Sequence, residues 1–134
     1  MDASPPAEKD FVEALRRLTD ATDGEYPAGL DAVAQAAAFA RMAKGKDDQE
    51  ALKSLMSTAA VIGRGLRFAI TLPVEADAHY AGNNVKRQGP RVAIFWYKPE
   101  GSTKYRVLWS DLSIDDVEQP PNVQGAIKLR AKTG

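Results

Sequence analysis

The chain has 134 residues, the size of one domain with one core, and its eighteen Lys plus Arg balance eighteen Asp plus Glu. No net field therefore draws it toward nucleic acid or an acidic membrane, and the lack of cysteine excludes a disulfide framework, a thiolate nucleophile and a sulfur-ligated zinc. No apolar run approaches the roughly 20 residues that cross a bilayer, and MDASPPAEKD lacks a basic stretch leading into an apolar one; we expect a soluble chain whose polar start is what remains after removal of a signal peptide or anchor helix.

Helical periodicity governs the first half. Phe11, Leu15 and Leu18 recur at i, i+4, i+7 with Ala14 on the same stripe, which predicts an amphipathic helix. Ser4 is its expected N-cap, Pro5 opens its first turn, and Gly24 is a left-handed terminator. Beyond the loop EYPAG, LDAVAQAAAFARMAKG predicts an Ala-rich second helix with Leu30, Val33, Ala37 and Ala40 along one side, ending at Gly45. Asp47 and Glu50 have capping-box spacing for a third helix, with Leu52, Leu55, Met56, Ala59 and Ile62 inward. Gly63 and Gly65 blur its far end, so residues 66–72 read as helix or as strand up to Pro73.

The second half changes period. AGNN and RQGP are turn clusters, and RVAIFWYK and KYRVLWSD flank PEGST as the two arms of a β-hairpin. With Lys98 opposite Lys104, Tyr97 faces Tyr105, Phe95 faces Val107 and Ala93 faces Trp109, giving one continuously apolar face. Such a face must be covered, most simply by the helices. The expected fold is therefore α+β, with about three N-terminal helices packed on a small C-terminal antiparallel sheet. Residues 1–134 form a single domain with flexible ends at 1–6 and 126–134. DLSIDDVEQPP reads as an acidic turn or short strand, and AIKLRAK as an edge strand or frayed tail.

On the opposite face, Trp96 is expected across from Arg106 and near Lys98, where a cation–π contact forms with no functional consequence. The functional alternative makes Trp96, Lys98 and Arg106 a contact surface for a partner or a sugar. Glu75, Asp77 and His79 alternate along an extended segment and are weak candidate metal ligands, against a solvated loop histidine. No serine lies in a G-x-S-x-G elbow, and Gly63 and Gly65 lack the third glycine of a dinucleotide loop, so helix packing or a helix end explains them. Asp111, Asp115, Asp116 and Glu118 lack EF-hand spacing and read as a solvated acidic turn. Lys86, Arg87, Arg91, Lys98, Lys104 and Arg106 sit near aromatic residues as in a single-strand nucleic-acid platform, but RNP patterns are missing and most rings fall on the core face. No nucleic acid and no cofactor is expected.

GEYPAGLDAV, then TLPVEADAHYAGNN, then IFWYKPEGSTKYRVLWSDLS, in that order, resemble the ectodomain of type II secretion pseudopilins. HYAG, IFWYKPEGS and YRVLWSDLS more closely resemble an uncharacterised domain of predicted exported proteins from planctomycete bacteria. The chain departs from the pseudopilin pattern in having no G-F-T-L-I-E start, no W-G-N between Ala78 and Gly82, and no glycine-rich calcium loop after Ser110. The resemblance implies a bacterial, extracytoplasmic (periplasmic or secreted) helix-plus-sheet module, attached to a membrane by a segment absent here. The leading functional reading is a non-enzymatic interaction or structural domain, acting on a protein partner or by self-association. The alternative is a small-ligand or polysaccharide-binding module using Trp96, Tyr97 and Arg106, and the third is an enzyme of unknown type.

Overall fold

The computed structural model describes residues 6–30, 32–43 and 48–129. The roles expected of Ser4, Pro5, Gly45 and Asp47, the Val33 side chain, and the ends 1–5 and 130–134 lie outside the described residues. Three helices come first: α1 (Glu8–Asp20), α2 (Ala32–Ala43) and α3 (Gln49–Ile70). A 3₁₀ turn at Val74–Ala76 leads into five strands, β1 (His79–Tyr80), β2 (Ala93–Tyr97), β3 (Tyr105–Trp109), β4 (Ile114–Val117) and β5 (Ile127–Lys128). The sheet order is β4-β3-β2-β1-β5 and every pairing is antiparallel, so the fold is α+β as the change of period implied.

Local signals set the helix ends. The Asp10 carboxylate accepts the Ala7 N–H at 2.7 Å where α1 begins, and Gly24, with φ at 86°, donates its N–H to the Thr19 carbonyl at 2.7 Å after α1 ends. Asp48 caps α3 by accepting the Ala51 N–H at 2.7 Å. Residues 66–70 continue α3, because Leu66 and Ala69 extend the buried stripe begun by Ile62. Gly65 also belongs to that stripe. A Cβ there would stand 2.1 Å from the Asp10 carbonyl oxygen and 2.4 Å from the Ala14 Cβ, so only glycine lets α1 and α3 lie this close.

Two helical faces differ from expectation. Among the described side chains of α2, Ala38 and Met42 are buried while Ala37 and Ala40 are exposed, a rotation that brings the larger Met42 into the core. In α3, Leu55 packs on the core and Ile62 is buried, but Leu52 is 43% and Met56 72% exposed. They lie roughly 140° or more around the helix from Gly65, which packs against α1.

The main core joins α1, α3 and one face of the sheet. Phe11 meets Phe95 at 4.6 Å between ring centroids, and Phe68 meets Tyr97 edge-on at 5.5 Å. The hairpin register is one residue off the expected one: Tyr97 faces Arg106, Trp96 faces Val107 and Phe95 faces Leu108. Within the loop between β2 and β3, Ser102 bonds back to Lys104 and Gly101 takes a φ of 79°, which consumes the extra residue. A bulge at Ile94 then restores Ala93 opposite Trp109 and turns both Ile94 and Phe95 toward the helices. Phe95 and Tyr97 thus face the helical core as expected, whereas Tyr105, Val107 and Trp109 lie on the other face with Trp96.

That second face is also covered. Val123 and Ala126 from the Pro-containing C-terminal stretch, with Val117 at the end of β4, pack against Ala81, Ala93, Trp96 and Val107. The stretch ends in β5, an edge strand pairing Ile127 with Tyr80 and Lys128 with His79, and Leu129 donates its N–H to the Ala78 carbonyl at 3.0 Å.

Candidate functional site

The three expected contact residues do not share a surface. Trp96 is 2% exposed, buried beneath the C-terminal stretch and stacked on His79 at 5.5 Å and 12° between planes. Its burial removes it as a sugar or partner platform. Arg106 points to the helical side, where it grips Glu8 through two hydrogen bonds of 2.7 and 2.8 Å. Tyr97 donates its hydroxyl to the same carboxylate at 2.6 Å. Burial first, and then this bond to Glu8, pushes the Tyr97 hydroxyl well above its usual range. The hydrogen bond that Arg106 donates to Glu8 likewise raises Arg106. Lys98 lies over the Tyr105 ring at 5.5 Å. A cation–π pair of the expected kind does form, but between Arg91 and Trp109, at 4.4 Å, because the register places Trp109 beside Arg91.

The weak metal triple is drawn into other work. Among the described residues no group of three or more acidic or imidazole side chains is arranged to hold a metal ion. Glu75 is exposed. Asp77 adopts a left-handed conformation with φ at 50°, accepts the Tyr105 hydroxyl at 2.7 Å and pairs with Lys128 at 3.3 Å. Burial opposes ionisation of Asp77, but the bonds from Tyr105 and Lys128 and the nearby His79 outweigh it and hold the carboxyl below its usual value. His79 places Nδ1 3.0 Å from the Asp77 carbonyl oxygen, and a carbonyl only accepts, so Nδ1 carries the proton.

The acidic run is neutralised within the chain. Arg91 bonds to Asp111 and Asp115, Arg106 to Asp116 and Lys104 to Glu118. Hydrogen bonds from the Ser113 side chain and backbone lower the Asp111 carboxyl. Arg87 is spent on Asp20 and Thr19. Most of the basic residues that resembled a nucleic-acid platform are therefore structural ties.

What the structure leaves open instead is one side of α3. Leu52, Met56, Ala60, Arg67 and Ile70 are exposed along it, with Ala59 and Gly63 partly so. A Cβ on Gly63 would meet nothing within 4 Å, so open space lies about two turns beyond Met56, the most exposed large apolar side chain among the described residues. The reading of Leu52 and Met56 as core residues concealed this face; the extra width of the apolar stripe was the available signal. Among the described residues no helix is long and apolar enough to cross a membrane. Comparison with protein-family models, with curated proteins and with solved structures gave no match for this chain.

Proposed function

We propose that this chain is a non-enzymatic interaction domain that self-associates through the exposed face of α3. The observation that carries the reading is the self-complementary spacing of that face. A second copy laid antiparallel, with a twofold axis between Ala59 and Ala60, sets each Met56 over Gly63 of the other copy and each Leu52 along the Arg67 stem. Small residues at the axis permit close approach, and Met56 removes from water what it now exposes. Lys53 and Arg67 of opposite copies come near one another, so the association is weak and strengthens with salt. The resemblance to exported and pilin-like domains supports placing this assembly outside the cytoplasm.

The absence of cysteine makes the test direct. Chains carrying Met56→Cys and Gly63→Cys are mixed and oxidised, and the mixed disulfide should exceed both like-with-like products. Sedimentation should show reversible dimers at high concentration that Met56→Glu abolishes. A strictly monomeric chain, or crosslinking without preference for the mixed pair, overturns the proposal.

A further inference from the structure

A cleft of about 420 Å³ opens between the end of α1, the loop after it, α2 and the turn at Asn83–Lys86. No residue of α3 lines it, so it is separate from the proposed dimer face. Its volume falls in the range of small-ligand sites.

The walls are held together by hydrogen bonds. Tyr26 donates its N–H to the Val85 carbonyl at 3.0 Å and its hydroxyl to the Ser110 carbonyl at 2.5 Å, while Tyr80 donates to the Pro27 carbonyl at 2.6 Å. An isolated antiparallel bridge sets Glu25 opposite Lys86. The floor is apolar, formed by Leu18, Ala38 and the Val85 side. At the rim, Arg41 bonds to Glu25 at 2.8 Å and Lys86 lies 4.0 Å from the same carboxylate. Two cations thus share one anion, which leaves an excess of positive charge at the mouth. Asn83 and Asn84 are exposed on the facing turn, and their side-chain amides bond to no described residue.

We infer that this cleft binds the carboxyl-terminal residues of a peptide. The carboxylate joins or replaces Glu25 between Arg41 and Lys86, the last peptide group pairs with an asparagine amide, and an apolar side chain rests on Ala38 and Leu18. Each ligand feature has a matching group, and the built-in Glu25 carboxylate already occupies the place of the anion. Glu25 then acts as an internal competitor.

The test follows backbone amide signals by NMR while N-acetyl-alanyl-leucine is added to the full chain. Saturable shifts should concentrate at Ala38, Arg41, Asn83, Asn84 and Lys86. The C-terminal amide of the same peptide should give none. Glu25→Gln should tighten binding about tenfold by releasing both cations, and Arg41→Gln should weaken it by a similar factor. Arg41 has its side chain 57% exposed, so that variant keeps the fold, which the remaining signals report directly. Equal shifts with acid and amide, or unchanged affinity in Glu25→Gln, overturn the inference. Equally strong binding of hexanoate, which has the carboxylate and an apolar chain but no peptide group, overturns the assignment to a peptide terminus.

Discussion

Arg106 and Glu8, 98 residues apart in the sequence, meet through two parallel hydrogen bonds of 2.7 and 2.8 Å that fasten the first turn of α1 to the middle of the sheet. The pair is partly shielded, with side chains 35% and 24% exposed, and Tyr97 adds a third bond to the same carboxylate. It therefore exceeds an ordinary surface ion pair. Glu8→Gln should cost roughly 1–2 kcal/mol, and a double-mutant cycle with Arg106→Met should return a coupling of about 1 kcal/mol. Additive losses in urea unfolding would show that the contact contributes nothing.

The two tryptophans should rank by burial. Trp96 is 2% exposed under the C-terminal stretch, whereas Trp109 is only half-buried beneath Arg91. Trp96→Ala should destabilise by about 3–5 kcal/mol and Trp109→Ala by clearly less, compared at their urea midpoints. This order is the reverse of what the alternation along the hairpin suggested. Trp109 also buries its Nε1–H without a partner among the described residues, which further lowers the cost of removing it.

The neighbouring glycines of α3 should respond in opposite directions. Gly65→Ala drives a methyl group onto the Asp10 carbonyl and the Ala14 Cβ, and the overpacking should cost about 1–3 kcal/mol. Gly63→Ala meets open space and should stabilise the isolated chain by about 0.5–1 kcal/mol through helix propensity. Thermal unfolding of both variants at low concentration checks the pair, and a loss at Gly63 would refute the open space beside it.

Asp77 should mark the acid limb. Its folded carboxyl is held below the unfolded value, so the unfolded chain binds the proton more readily. The stabilisation is complete above the unfolded value near 3.9 and is lost as pH falls through the folded one. Asp77→Asn keeps a residue that tolerates the left-handed conformation while removing the charge. The stability gap between wild type and this variant should be constant at neutral pH and should narrow below about pH 4. A gap that persists unchanged into strong acid would show that the Asp77 charge is not the stabilising group.

The sequence alone determined the α+β class, the first-helix stripe Phe11–Leu15–Leu18, the hairpin around PEGST and the helical terminator at Gly24, because each rests on contacts a few residues apart. Tertiary structure decided the rest. Which residues of β3 share a face with Trp96 depended on one extra residue absorbed in the hairpin loop, a register step that alternation cannot fix. The cover that buries Trp96 comes from Val123 and Ala126, isolated apolar residues in an irregular stretch with no period to reveal a buried side. Likewise Leu52 and Met56 have the composition of core residues, and only the placement of α1 against Gly65 shows which part of the α3 apolar surface is used. The cleft was illegible for the same reason: Glu25, Arg41, Asn83 and Lys86 come from separate segments of the chain, brought together by the bonds from Tyr26 and Tyr80, the Glu25–Lys86 bridge and the Arg41–Glu25 ion pair.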